Sequence, residues 1–152
     1  MEAFRLVRKK YAMPLSGKGA ALKGGRWNFA GSELLYLASN RSLAMAEVAV
    51  HLTLATIPTD LVMMTISIPG NVSIEVINAS ELPTGWNSFP YVEATRAIGD
   101  AFLLNGRACI LKVPSAVTKG DYNLLANPHH NEFKGLKVLS MEAFPFDGRI
   151  FK

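Results

Sequence analysis

Three residue types that can do chemistry stand in the first third of the chain where apolar residues are otherwise expected: Arg26, Tyr36 and Glu47. The spacing around Glu47 predicts a helix over residues 43–54, capped by Ser39 or Asn40. At about 100° per residue, Leu43, Glu47, Val50 and Leu54 fall on one side, and Met45, Val48, Ala49 and Leu52 on the other. Such a helix is apolar nearly all round and is expected to be buried, interrupted only by Glu47 and His51. Taking a lone carboxylate out of water costs several kcal/mol, so Glu47 needs a cation, a hydrogen-bond donor or a ligand supplying one.

Arg26 is the candidate partner. Residues 25–29 and 34–38 read as two short strands joined around Ala30-Gly31-Ser32, with Arg26, Asn28, Leu34 and Tyr36 on one face. A turn centred on Gly31 sets Arg26 opposite Tyr36, beside the carboxylate of the next helix. A guanidinium, a phenol and a carboxylate converging in this way suit an anionic, aromatic ligand that develops positive charge as it reacts.

The elements that must position these groups are legible at coarser grain. Residues 3–8 alternate as a strand, followed by a Gly/Lys/Ala-rich loop over residues 11–25. Within it, Gly19-Ala-Ala-Leu-Lys-Gly24 is followed by Gly25-Arg26 and not by Lys-Ser/Thr, which excludes a phosphate-binding P-loop. Gly17-Lys18-Gly19 lacks the spacing and the strand-turn-helix context of a dinucleotide fingerprint. After a break at Ile57-Pro58-Thr59-Asp60, residues 61–68 read as a central strand and residues 72–77 as another. Residues 82–90 form a loop whose Trp86 and Phe89 are expected to pack on the core. Residues 91–105 predict an amphipathic helix stopped at Asn105-Gly106. A buried strand over 108–113 ends at Pro114 and sets Ser115 at a strand end, where sheet proteins place ligand contacts. No Gly-x-Ser-x-Gly elbow surrounds that serine, so it is not a hydrolase nucleophile. Asn123 and Asn127-Pro128 read as turn formers, and residues 137–144 as the strand that closes the sheet.

Composition sets the bounds. At 152 residues and 49% hydrophobic, with helical and strand-like runs both present, the chain predicts one globular α+β domain over residues 1–152. No run approaches 18 apolar residues, and the charged N-terminus has no apolar segment after it, so neither membrane span nor signal peptide is expected and the default location is cytoplasmic. Cys109, the only cysteine, sits in an apolar run and excludes an intramolecular disulfide. His51, His129 and His130 lack metal-ligand spacing, and no zinc site is predicted. Residues 1–32 hold seven Lys/Arg against Glu2 alone, which gives +6, while the remainder holds nine against eleven, which gives −2. The basic end favours anionic partners without choosing among them.

Gly-Gly-Arg26-Trp-Asn28, then Tyr36 ten residues later and Glu47 eleven after that, resembles the RES domain, the toxin half of bacterial RES-Xre toxin–antitoxin pairs. Val113-Pro-Ser115-Ala-Val117, Asn123-Leu-Leu-Ala-Asn127-Pro128 with His130 and Phe133, and Phe146-Asp-Gly-Arg149 extend the resemblance through nearly the whole chain. Asn131 departs from the Pro that often follows the histidine. The resemblance implies a split mixed sheet with flanking helices, similar to ADP-ribosyltransferases, that grips NAD and breaks its nicotinamide–ribose bond. NAD is then a substrate and no cofactor is implied. Catalytic parts fall to Arg26, Tyr36 and Glu47, and secondary polar contacts to Asn28 and Ser115. Partners implied are an Xre-like helix-turn-helix antitoxin and a second copy of the chain. The competing reading is a basic nucleic-acid-binding or RNA-cleaving toxin using His51, His129 or His130.

Overall fold

The computed structural model describes residues 1–151. Seven strands form one mixed sheet: β1 (Glu2–Arg8), β2 (Leu35–Ala38), β3 (Leu61–Ser67), β4 (Ile74–Val76), β5 (Ile110–Pro114), β6 (Tyr122–Ala126) and β7 (Lys137–Ala143). Their order is β4-β5-β6-β2-β1-β3-β7, and only the β4–β5 pair is parallel. A parallel pair needs a crossover, and here it contains α3 (Glu93–Asn105). Two shorter helices, α1 (Lys18–Lys23) and α2 (Arg41–Ala49), complete the α+β fold.

The sheet is split. β1 and β2 meet at one pair, Phe4 with Ala38, whereas β1 runs against β3 through seven pairs from Glu2–Ser67 to Arg8–Leu61. The divergence opens a gap between the β4-β5-β6-β2 half and the β1-β3-β7 half. Alternation along the strands sorts the core. Ala3, Leu37, Met64, Ile66 and Leu124 pack on one face. Leu6, Ala38 and Met63 meet Leu43 and Ala44 of α2 on the other. A third cluster gathers Trp27, Leu34, Leu111, Val113 and Leu125 around Phe102 of α3.

Several expected elements stand where the residues put them. α3 stops at Gly106 in the left-handed region (φ 60°), and β7 closes the sheet at its edge. β3 carries six consecutive buried residues, as an apolar run flanked by two strands requires.

Other expectations fail for identifiable reasons. The 25–29/34–38 hairpin does not form: β2 pairs with β6 and β1, and residues 25–28 close on themselves through one Gly25–Asn28 bridge. The apolar stretch Leu35-Tyr-Leu-Ala gains two long-range neighbours in the sheet, which a local hairpin would have denied it. The 11–25 loop contains α1. The helix expected over 43–54 spans Arg41–Ala49; Asn40 is its cap, accepting a hydrogen bond from the Leu43 amide at 2.8 Å. It is not buried all round, since only Leu43 and Ala44 of its residues are buried. Asn123 lies in β6 and not in a turn, because its apolar neighbours Leu124, Leu125 and Ala126 commit the segment to the sheet.

Candidate active site

The gap between the two halves of the sheet is a cleft of about 760 Å³, within the range of small-molecule binding pockets. Arg26, Tyr36 and Glu47 all line it, brought together from the bend after α1, from β2 and from α2.

Tyr36 is the fixed point. Its hydroxyl donates to Asn28 Oδ1 at 2.6 Å and accepts from the Trp27 amide at 3.1 Å, leaving the ring to face the cleft. Burial pushes its pKa up, with the Trp27 amide opposing, so the phenol stays protonated. The bend that brings Asn28 and Trp27 to it depends on two glycines. A Cβ on Gly25 would stand 2.7 Å from the Tyr36 hydroxyl, and one on Gly99 of α3 would stand 1.5 Å from the Trp27 carbonyl oxygen.

Asn28 has no exposed surface. Its amide donates towards the carbonyls of Ala20, Phe29 and Ser32 at 3.0, 3.0 and 3.1 Å. Both polar atoms of its side chain are engaged inside the protein, one of them holding the Tyr36 hydroxyl, and Asn28 lies behind the residues that line the cleft.

Arg26 does not pair with Glu47. Its Nη1 donates to the carbonyls of Trp86 and Ser88, both at 2.9 Å, and its guanidinium lies 4.9 Å from the Tyr91 ring centroid. Its remaining guanidinium nitrogens make no hydrogen bond among the described residues. Burial pulls its pKa below the ordinary arginine value, while Tyr91, Glu47 and Tyr36 act in the opposite direction. Glu47 takes its hydrogen bond from Ser115 Oγ at 3.1 Å. That hydroxyl also accepts from the amides of Val117 and Thr118, at 3.1 and 3.0 Å, so the strand-end serine is held by its own loop and aimed at the carboxylate. Because α2 is only partly covered, Glu47 avoids the full desolvation that the all-apolar helix implied.

Arg5 is the cleft residue that sequence reasoning passed over. It lines the cleft from β1, and among the described residues no hydrogen bond or ion pair engages its guanidinium; burial alone lowers its pKa. The signal that singled out Glu47 is present here too: at period two, Arg5 interrupts a face whose neighbours Ala3 and Val7 join the core. Asn87, Phe89 and Tyr91 form another stretch of the rim, and His51 stands exposed at the edge. Trp86 packs on Trp27 at 6.2 Å and does not face the cleft.

His129 and His130 lie outside the cleft lining. Ligand atoms of Cys109, His130 and Glu132 lie within 4.8 Å of one another, a grouping that residue spacing did not foresee. Two of its groups are partly engaged within the protein. Glu132 Oε2 accepts from the Ser73 amide and hydroxyl at 2.7 and 2.6 Å, His130 Nδ1 accepts from the Glu132 amide at 3.1 Å, and burial pushes the Cys109 thiol up to about 11.

No helix among the described residues is long and apolar enough to cross a membrane. The RES domain model matches residues 2–147. A Prs ADP-ribosylating toxin of Sphingobium sp. is 36% identical over 148 residues, covering 96% of this chain and 92% of that protein. A toxin Res of Yersinia enterocolitica is 35% identical over 152 residues and 99% of each chain. Among solved structures, a chain of the M. tuberculosis MbcT–MbcA toxin–antitoxin complex superposes with a TM-score of 0.74 over 99% of this chain and 86% of its own. At 18% identity that likeness speaks for the fold alone.

Proposed function

The chain belongs to the RES domain family, and on that premise we propose that it is the toxin of a toxin–antitoxin pair and breaks the nicotinamide–ribose bond of NAD. The observation that carries the reading is the convergence of Glu47, Tyr36 and two guanidiniums, Arg5 and Arg26, in one cleft. NAD presents a pyrophosphate for the cations and a positively charged nicotinamide ring for the carboxylate. The relatives named as an ADP-ribosylating toxin and a toxin Res support the same reading.

In the proposed reaction the C–N bond to nicotinamide breaks and its electron pair leaves with the ring, which becomes neutral. The positive charge passes to the ribose as an oxocarbenium-like centre. Glu47, held by Ser115, stabilises that charge, since a group preorganised where charge develops acts most strongly in the transition state. Tyr36, fixed through Asn28, offers its ring to orient nicotinamide. Arg5 and the free nitrogens of Arg26 bind the pyrophosphate. The ADP-ribose then passes to water, phosphate or a protein side chain. NAD is substrate and no cofactor takes part. A cytoplasmic site of action follows from where NAD is available.

As a toxin the protein implies a neutralising partner, proposed to be an Xre-like helix-turn-helix antitoxin that covers the cleft, and it is proposed to act as a homodimer. Incubating the purified protein with NAD and, separately, with RNA tests the assignment. Free nicotinamide beside intact RNA is expected, and intact NAD beside degraded RNA would reverse the conclusion in favour of an RNA-cleaving toxin.

A further inference from the structure

Phe89 is 74% exposed yet stands on the cleft. Folding gives it no reason to be there, since a phenyl ring left in water contributes little burial. It is nevertheless held in place. Its ring meets Tyr91 edge-on, with centroids 5.4 Å apart and planes at 85°. The segment before it is fastened when Arg26 captures the Trp86 and Ser88 carbonyls. Arg96, anchored on the Gly25 carbonyl at 3.0 Å, lies 5.5 Å from the Tyr91 centroid, so two guanidiniums flank the ring that Phe89 meets.

This rim is aromatic and electropositive, whereas Glu47 puts negative charge on the wall formed by α2. The two bases of NAD differ in the same sense. The nicotinamide ring is cationic until its bond breaks, and adenine is neutral. A cationic ring is repelled by Arg26 and Arg96 and attracted by Glu47. A neutral purine stacks on an exposed aromatic face, and the phosphate beside it suits the flanking cations. We propose that Phe89 is the adenine-stacking, specificity-determining residue of the cleft, so that the dinucleotide binds with adenine on Phe89 and nicotinamide at Glu47. This inference rests on the NAD-cleaving reading and adds to it the direction in which the substrate lies.

The test compares the parent with Phe89→Leu, which keeps an apolar side chain without a π face, and Phe89→Trp, which restores one. In NAD turnover Phe89→Leu is expected to raise KM about ten-fold with kcat near the parent value, and Phe89→Trp to keep the parent KM. In calorimetry on the folded proteins, Phe89→Leu is expected to weaken AMP by a similar factor and to leave nicotinamide mononucleotide unaffected. An unchanged affinity for AMP, equal losses for both nucleotides, or no binding of AMP to the parent would overturn the assignment. Should the parent leave NAD intact, the functional reading falls by itself, and the AMP arm still decides what Phe89 does.

Discussion

Two neighbouring regions of the cleft follow opposite rules. The bend at residues 24–29 is saturated apart from the outer nitrogens of Arg26: Asn28 is fully buried with both side-chain polar atoms engaged, the Tyr36 hydroxyl both donates and accepts, and Gly99 lets α3 press against the Trp27 carbonyl. On the side formed by β1 and α2, Glu47 has one hydrogen bond, to Ser115, and Arg5 has no partner among the described residues. A polar group that the protein satisfies costs the fold little and is unavailable to a ligand. One left unsatisfied costs the fold and is available. The difference teaches that the saturated region builds the site, whereas the unsatisfied one is where its chemistry is expected.

Gly99→Ala should break the comparison hardest. The added methyl carbon would stand 1.5 Å from a backbone oxygen and 2.6 Å from the carbonyl carbon, so no side chain can swing away to make room. Overpacking typically costs about 1–3 kcal/mol, and a clash with the main chain belongs at or above the top of that range. At about 2–4 °C per kcal/mol for a chain of this size, the melting temperature is expected to fall by about 10 °C or more. A melting temperature within two degrees of the parent would mean that the bend is free to move and is not the rigid support described.

Glu47→Gln acts on the other region and should separate rate from stability. The amide oxygen can still accept from Ser115, and Arg26 is held by the Trp86 and Ser88 carbonyls and not by Glu47, so the unfolding midpoint should stay close to the parent. The rate of NAD cleavage is expected to fall about 100- to 1000-fold, the usual consequence of removing one well-placed electrostatic group, about 3–4 kcal/mol. A destabilised protein that keeps the parent rate would move Glu47 into the building region and out of the mechanism.

The same division explains how much of the molecule was legible beforehand. Periodicity located β1, β3, β7 and α3, and Asn105-Gly106 marked the end of α3, because those signals lie within a few residues. Glu47 stood out because a charge interrupted an apolar helical pattern, and Arg5 carried the same mark on a strand. The contacts of Arg26 and Asn28 were not legible. The carbonyls that hold Arg26 come from residues 86 and 88, brought close by the packing of Trp86 on Trp27. The hairpin expected to pair Arg26 with Tyr36 was a sound local reading, overridden when β2 found β6 and β1 across the sheet. Ser115 was placed by its strand end, yet its partner Glu47 lies 68 residues away in the chain, a distance no local pattern spans.

The smallest and most informative change is Arg5→Met. If Arg5 belongs to the unsatisfied region, its guanidinium is a net cost to the fold, since it is half-buried beside the core without a counter-charge. Methionine fills the volume of the aliphatic stem without placing charge there, and the flexible thioether adapts to the space. Stability should therefore hold or rise by about 1 kcal/mol, read as a melting temperature up to 2–4 °C higher. NAD affinity should move the other way, with KM raised as a pyrophosphate contact is lost. Arg5→Lys should recover part of that loss, because an ammonium keeps the charge without the bidentate fork. A fall in melting temperature for Arg5→Met would show that the guanidinium supports the fold, and would place Arg5 with Asn28 among the residues that build.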